Sequence, residues 1–529
     1  MPQSTRDTQA GTYMFPIREL LAPEAFQHPV GEIALRETHI SWVVLTGSIA
    51  YKIKKAVKFD FIDALTLERR RTLCEEDLRL NRRLAPELYM DVVAITRKAG
   101  RLVVGSDGSA VEYAVRMQQF PASDELPALL ARQDVTLAQM EALGESLAQF
   151  HLNAATSTRV QAPEKTEQMF QSVFGNLAQL LAHFQGEHSA GLNRLIDWTH
   201  DAAQALESAF EARERDGFVR ECHGDLHAAN IVRLLGKLVA FDCIEFNPSL
   251  RWIDVLNDVA FLVMDLTSHD RSDLALAMLS RYLEVTGDYE GVHLLPFYAV
   301  YRALVRAKVD ALATEEVPRR AAEFQDRLQR RIRVALTWAT PRQPMLILMH
   351  GVSGSGKSWL SQQLVPELRA IRIRSDLERK RLAAMRPLQS AAAHVREGIY
   401  APQFSHRTYA RLADSAEACL RAGFDVIVDA AFLDAVDREL FRVLAKRLGV
   451  RRVIVSCHAD PAALAERMIG RASGHSDPSD ATLSVLDVQL REIKPFDPAE
   501  LPQVIAVDTN EPDAIQRTAA AIRDRAAKK

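Results

Sequence analysis

The segment ECHGDLHAANIVRLLGKLVAFDCIEF, residues 221–246, holds His223, Asp225, His227 and Asn230 within eight positions and sets Asp242 at the end of an apolar strand, twelve residues past the asparagine. Two acids and an amide in that pattern raise the question of metal and phosphate chemistry. A second segment, LILMHGVSGSGKSWL, answers it for the far half of the chain. Gly351-Val352-Ser353-Gly354-Ser355-Gly356-Lys357-Ser358 fits G-x-x-x-x-G-K-[ST], directly after an apolar strand and at the opening of a helical stretch. That context separates a phosphate loop from a glycine-rich turn. Gly351, Gly354 and Gly356, with Ser353 and Ser355 among them, let backbone N–H groups curl around phosphate oxygens, and the helix N-terminus adds positive potential. Lys357 is expected to bridge the β- and γ-phosphates and Ser358 to ligate Mg²⁺.

The neighbours of such a loop decide what it does with a nucleotide. RIRSDLERKRL (372–382) sets Asp376 just past the second strand of this half and Arg379 three residues on, at the carboxyl edge of the sheet where ligands bind. SGSGKS followed by RSDLER resembles the zeta-toxin, gluconate-kinase and polynucleotide-kinase branch of P-loop kinases. The resemblance implies that Asp376 accepts the proton of an attacking hydroxyl and that Arg379 clamps substrate or phosphate. It implies that Asp429, near the end of DVIVDA, is the Walker B acid that orders Mg²⁺ through water. It also implies that Arg467 and Arg471, four apart in AERMIGRASG, are lid arginines brought onto the transferring phosphate. The plainer alternatives are an N-capping Asp376 with a solvated Arg379, and a strand-end cap at Asp429. His350, beside the loop, is expected to be a strand-end residue rather than a catalyst.

Asp225 and Asn230 stand at the separation used by the protein-kinase catalytic loop, H-R-D-x-x-x-x-N. There the Asp faces the substrate hydroxyl while the Asn turns back to a metal on the nucleotide phosphates. HGDLHAAN resembles the loop of aminoglycoside phosphotransferase-like kinases, which carry Gly where protein kinases carry Arg; choline and fructosamine kinases resemble this group too. The resemblance implies that Asp225 is the base, that Asn230 and Asp242 carry Mg²⁺, and that His223 braces the loop. DCIEF stands where D-F-G would be, and Asp254, in RWIDVLNDVAF with Asp258, is expected as scaffold. The same resemblance calls for a small-lobe Lys paired with a helix Glu. AYKIKK offers Lys52 first and Lys54 next, on one strand face, and the following helix offers Glu76, with Glu75 as alternate. A single glycine, Gly47 in LTGSIAY, replaces G-x-G-x-x-G, which leaves both ATP and GTP open as donors. VRMQQFP (115–121) reads as the interlobe hinge. The whole order resembles bacterial proteins described as fused aminoglycoside-phosphotransferase-like and P-loop ATP-binding proteins, over nearly the full chain. An aminoglycoside pocket is not implied, because residues 253–340 carry mixed charge where an acidic lining is expected.

These side chains need scaffolds. Val43 and Leu45, then Tyr51 and Ile53, alternate through residues 39–58, which read as two strands joined at TGS. A helix is expected over roughly 66–85, ending before Pro86. Residues 91–120 alternate as a strand meander with turns at KAG and SDGS. Helical spacing runs from 134 to 215 and again from 253 to 340, with the strand-like 221–246 between. Residues 1–338 therefore read as an α+β bilobal, protein-kinase-like (aminoglycoside phosphotransferase) fold. Pro341 and Pro344 mark a linker at 339–344. Beyond it MLILMHG, RIRSD, DVIVDAAF, RRVIVSC and QVIAVDT alternate with helical stretches, the pattern of an α/β P-loop domain with a parallel sheet over 345–529.

Composition bounds the partners. A net charge of −3 over 529 residues gives no general pull toward nucleic acid or anionic membrane. The basic run LERRRTLCEEDLRLNRRL (67–84) reads as a solvated helix face. The five cysteines form no C-x-x-C pair, so buried thiols in a reducing compartment are expected. MPQSTRDTQAGTYMF lacks a charged start followed by an apolar core, and no apolar run reaches the roughly eighteen residues of a span. A soluble cytoplasmic protein without a membrane partner is expected. The reading is a bifunctional ATP- (or GTP-) and Mg²⁺-dependent phosphotransferase, each module moving a γ-phosphoryl to a small-molecule hydroxyl. The alternatives for the P-loop half are a polynucleotide 5′-hydroxyl kinase, with nucleic acid as partner, and an ATPase switch regulating the first module. A pseudokinase reading of the N-terminal half is opposed by the full set of Asp225, Asn230 and Asp242.

Overall fold

The computed structural model describes residues 15–59, 61–157, 165–184, 189–316, 318–386, 389, 398–474 and 483–527. The chain forms two compact units. The first takes the chain up to Asp134 with Ala154–Ser157 and Val219–Ile253; the second takes Val135–Asn153, Thr158–Phe218 and Asp254 onward.

In chain order the first stretch is β-rich: β1 (Ala34–Glu37), β2 (Ser41–Leu45), β3 (Ile49–Lys54), β4 (Lys58–Phe59), β5 (Ile62–Asp63), α1 (Leu67–Asn81), β6 (Tyr89–Lys98), β7 (Arg101–Val104), β8 (Ala110–Gln118) and α2 (Leu126–Ala131). Helices α3 (Leu137–Asn153), α4 (Lys165–His183) and α5 (Ser189–Arg215) follow. Short elements come next: β9 (Val219–Glu221), β10 (Ile231–Leu234), β11 (Lys237–Ala240), α6 (Pro248–Arg251) and β12 (Trp252–Asp254). Four helices lead onward: α7 (Val255–Ser268), α8 (Ser272–Thr286), α9 (Leu295–Glu316) and α10 (Ala321–Trp338). The remainder alternates: β13 (Met345–His350), α11 (Lys357–Leu368), β14 (Ile371–Arg374), α12 (Ser375–Leu382), α13 (Pro402–Arg421), β15 (Val426–Asp429), α14 (Ala435–Leu448), β16 (Arg451–His458), α15 (Pro461–Gly474), α16 (Leu483–Glu492), β17 (Val504–Asp508) and α17 (Ala514–Ala527).

In the first unit a six-stranded antiparallel sheet runs β1-β2-β3-β8-β6-β7. Its period-two pattern buries Val44, Tyr51, Ile53, Ile95 and Ala114 on one face. The other face, with Ala50, Val115 and Met117, packs on Cys74 of α1. Thr66 caps α1 by accepting from Arg69 N (3.3 Å), and the helix buries Arg70, Cys74, Asp77 and Asn81, spaced four, three and four apart. Strands β10 and β11 pair as a hairpin.

In the second unit Arg213 of α5 grips Asp254 (2.6 and 2.9 Å) and Asp288 (2.8 Å twice), and Asp254 Oδ1 caps α7 by accepting from Leu256 N (2.8 Å). Asp254 is thus a scaffold residue, as expected. A five-stranded parallel sheet runs β14-β15-β13-β16-β17, and all six residues of β13 are buried, as a central parallel strand requires. The 339–344 connection lies inside this unit, which also contains α7–α10. Among the described residues no helix is long and apolar enough to cross a membrane. All five cysteines are buried free thiols.

Candidate functional site

In the first unit backbone bonds sew the 223–230 run to the end of β11. His223 O accepts from Ile244 N (3.1 Å) and Asn230 O from Phe241 N (2.9 Å), so Asp242 lies across from Asp225 and Asn230. His223 is fully buried. Its Nδ1 accepts from Asp225 N (3.3 Å), which leaves Nε2 to donate to Phe241 O (2.8 Å). Gly224 has φ of +89°, and an added Cβ would sit 2.8 Å from Leu250 O, so the arginine of protein kinases has no room here. His227 Nδ1 accepts from Ala229 N (3.2 Å), so its Nε2 carries a proton toward Asp225 Oδ2 (3.3 Å), which Asn230 Nδ2 also meets (3.1 Å). Two donors therefore orient a carboxylate whose side chain stays 37% exposed. Asp242 adopts a left-handed φ of 65°, donates its N–H to Tyr89 OH (3.2 Å) and keeps a 44% exposed side chain.

Strand β3 brings Lys52 and Lys54 to one side. Lys52 Nζ reaches Asp77 Oδ2 (2.8 Å) and the Asp242 carboxylate; Lys54 Nζ reaches Asp77 Oδ2 (2.6 Å) and Glu245 Oε1 (2.6 Å). Burial pushes both ammonium groups toward neutrality, but Asp242, Asp77 and Glu245 around Lys52, and Asp77 and Glu245 around Lys54, outweigh it and hold both firmly charged. The helix carboxylate that meets them is Asp77, not the expected Glu76 or Glu75. One residue along a helix turns a side chain by about 100°. Asp77 shares the buried side with Cys74 and Asn81, whereas Glu76 faces Arg79 (2.6 Å) and Arg251 (2.7 Å) and Glu75 faces Arg71 (2.9 Å). With its Nδ2 committed to Asp225, the Asn230 amide offers oxygen; that oxygen and the Asp242 carboxylate are hard donors that fit Mg²⁺.

In the second unit the 351–356 backbone wraps rather than extends. Ser355 N returns to Val352 O (3.2 Å), Lys357 Nζ donates to the same oxygen (2.7 Å), and Ser353 N donates to Gln489 Oε1 of α16 (2.7 Å). Gly356 ends the loop at φ +82°, where an added Cβ would stand 2.7 Å from Thr509 Oγ1. Helix α11 then opens at Lys357, aiming its first N–H groups at the loop. Asp429, 5% exposed, is in register with Met349 beside it, and Ser361 Oγ, one turn past Ser358, lies 3.1 Å from Asp429 Oδ2. The Ser358 hydroxyl and the Asp429 carboxylate are again oxygen donors of the kind Mg²⁺ takes.

Asp376 is half-buried at the second position of α12, whose N-cap is Arg374, so it is not an N-cap residue. Arg379 is not solvated. It is 8% exposed, its Nη1 donates to Ile399 O (2.8 Å) and Ser405 Oγ (3.1 Å), and its guanidinium lies 5.0 Å over the Tyr400 ring. Tyr409 and Asp437 complete this neighbourhood. Burial, then Asp437 and Asp376 among nearby charges, raises the Tyr409 phenol; burial, then Asp434, pushes the Asp437 carboxyl up to about 6, against the pull of Arg379. Arg467 donates to Thr509 Oγ1 (2.9 Å), Gly354 O (3.3 Å) and Asn510 Oδ1 (2.8 Å), bonds it must exchange before meeting a phosphate. Arg471 belongs to α15, but its side chain lies outside the described part of the structure. His350 is a strand-end residue: Ser456 Oγ lies 3.0 Å from Nδ1, and burial, then Arg438 and Lys357, push the ring down to about 4, so it is neutral.

Sequence reasoning brought Asp225, Asn230, Asp242 and Lys52 to one place and missed Asp77, Glu245, His227, Tyr409 and Asp437. For Asp77 a signal existed: it follows Cys74 by three and precedes Asn81 by four, the spacing of a buried stripe. For Tyr409 and Asp437 none did, since each joins the site only through the fold.

Loop, parallel sheet and strand-end acid define the C-terminal part as a P-loop nucleotide-binding domain, and a family model described as an AAA domain matches residues 346–496. The chain is 30% identical over 455 residues to the uncharacterized protein Rv2004c of Mycobacterium tuberculosis, covering 85% of this chain and 89% of the relative, and it belongs to the same family. Among solved structures, a gluconokinase from Sinorhizobium meliloti is 22% identical, with 35% of this chain and 95% of that one covered at a TM-score of 0.26. A choline/ethanolamine kinase family protein from Mesorhizobium loti is 10% identical, with 59% of this chain and 94% of that one covered at a TM-score of 0.33.

Proposed function

We propose that the chain is a bifunctional phosphotransferase, with residues 1–338 as one kinase module, 345–529 as the other, and 339–344 as linker. In the first module Asp225, oriented by His227 and Asn230, takes the proton of an acceptor hydroxyl. Lys52 meets the donor phosphates; Lys54, fully buried between Asp77 and Glu245, anchors the strand. Asn230 and Asp242 hold Mg²⁺. In the second module the loop amides and Lys357 cradle a triphosphate, Ser358 and Asp429 hold Mg²⁺, Asp376 takes the acceptor proton, and Arg379, Arg467 and Arg471 serve the transferring phosphate. Bound Mg²⁺ neutralises charge on the β- and γ-phosphates. The protein's own part is positioning and electrostatic preorganisation.

The observation that carries this reading is the convergence of Lys52, Asp242, Asp225 and Asn230 through bonds that bridge 190 residues of chain. The test is transfer of γ-³²P from ATP and from GTP into small-molecule and RNA fractions. Asp225→Asn and Asp376→Asn should each remove one set of labelled products, by about 10²–10⁴-fold, with nucleotide binding kept. Label entering only RNA would turn the second module into a polynucleotide 5′-hydroxyl kinase. Phosphate release without a labelled acceptor would make it an ATPase switch. Unchanged products in Asp376→Asn would remove that residue as base.

A further inference from the structure

Arg372 of β14 is a buried cation that the proposed chemistry does not use. Its side chain is 8% exposed, and its Nε donates to Glu284 Oε1 of α8 (2.7 Å), a carboxylate itself 1% exposed. Burial alone would raise Glu284, but Arg372, then Arg374, outweigh it and keep it ionised. The Arg372 backbone N–H donates to Ser280 Oγ of α8 (3.0 Å). On its other side Arg372 Nη1 donates to Ser358 O (3.2 Å) and lies 3.4 Å from Ser361 Oγ, which is 3.1 Å from Asp429 Oδ2. A continuous polar path thus runs from α8 through one guanidinium to the backbone carbonyl of Ser358 and, by way of Ser361, to the Asp429 carboxylate. Arg374 Nε stands 3.8 Å from Asp429 Oδ2. Helix α8 is fixed at its far side: Tyr282 OH lies 3.0 Å from His151 Nδ1 of α3, whose Nε2 is 3.2 Å from Asp258 Oδ2 of α7.

We infer that Glu284 and Arg372 are positioning residues for the metal–nucleotide pocket of the P-loop, and that α8, which precedes the linker, is thereby a structural part of that pocket. Glu284 is the counter-ion that keeps Arg372 from Asp429. Without it, the charge of Arg372 adds to that of Arg374 beside Asp429, and the carboxylate is drawn into an ion pair instead of serving the cation. The helices of the first module therefore tune metal use by the second, and occupancy of the loop is felt by α8 and, through Tyr282 and His151, by α7.

This inference rests on the P-loop reading above. The test is calorimetric titration of the full chain with ATP and ADP, once with Mg²⁺ and once with EDTA, for the unaltered protein and for Lys357→Ala, Glu284→Gln and Ser280→Ala, with thermal unfolding of each. Glu284→Gln should lower the Mg²⁺-dependent gain in affinity by about 10- to 100-fold, the range for lost partners of metal ligands. Affinity in EDTA should stay unchanged, and Ser280→Ala should act in the same direction and less. A Mg²⁺ gain that survives both substitutions overturns the inference, as does an equal loss with and without metal. If Glu284→Gln fails to fold, Ser280→Ala decides alone. A separate outcome, no binding by the unaltered protein or binding indifferent to Lys357→Ala, removes the P-loop reading itself.

Discussion

Replacing Asp77 by asparagine tests the small-sheet lysine cluster most sharply, because the neighbouring Glu76 provides its own control. Asp77 is fully buried and accepts from Lys52 (2.8 Å), Lys54 (2.6 Å) and Asn81 Nδ2 (2.8 Å). Asparagine keeps the shape but leaves both ammonium groups against a neutral amide, with Asp242 and Glu245 as their remaining counter-ions. Breaking a buried ion pair from one side costs about 3–5 kcal/mol. At about 2–4 °C per kcal/mol for a domain of this size, the melting transition of the first unit should fall by roughly 10 °C. Glu76→Gln removes a carboxylate that is 25% exposed, and Arg79 and Arg251 both retain Glu221 (2.7 and 3.2 Å), so its cost should stay near 0–1 kcal/mol. Thermal unfolding followed by circular dichroism, with hydrogen exchange of residues 49–54 and 67–81, measures both. Equal shifts for the two variants, or a larger one for Glu76→Gln, would refute the assignment of Asp77 as the helix carboxylate.

Gly356→Ala should weaken nucleotide binding by tenfold or more in calorimetry, since the left-handed φ of +82° costs an alanine about 1–2 kcal/mol and its Cβ meets Thr509; unchanged affinity would argue against the wrapped loop. His350 predicts a pH dependence. Its folded value of about 4 lies below the ordinary 6.5, so its contribution is complete above pH 6.5 and is lost as pH falls toward 4. Unfolding free energies from urea titration at pH 7.5 and 4.5 should differ by about 2–3 kcal/mol more in the unaltered protein than in His350→Gln.

Much of this was readable from local pattern. The five apolar runs of the C-terminal half became the five parallel strands, because a strand buried on both faces leaves a continuous apolar signature. The TGS turn joined the expected strands, and the H-G-D loop was braced as its spacing required. What escaped reading depended on rotation or on distance. Glu76 and Asp77 differ by one residue in sequence and by a third of a turn in space. Arg372 sits in the plain run IRIR and meets its counter-ion 88 residues earlier. Arg379 looks solvated in ERKRL, yet the 399–405 segment covers it. No local periodicity encodes which distant carboxylate a cation will find.

The burial of every thiol gives the protein a built-in clock for its own opening. Cys74 and Cys457 are pushed up to about 12, mainly by burial, so almost none of either is in the nucleophilic form at neutral pH while the chain stays folded. Cys74, Cys222 and Cys243 lie in the first unit, and Cys419 and Cys457 in the second. A short pulse of an alkylating reagent at each step of a denaturant series, read by peptide mass, therefore times the exposure of each unit separately, with no foreign label attached.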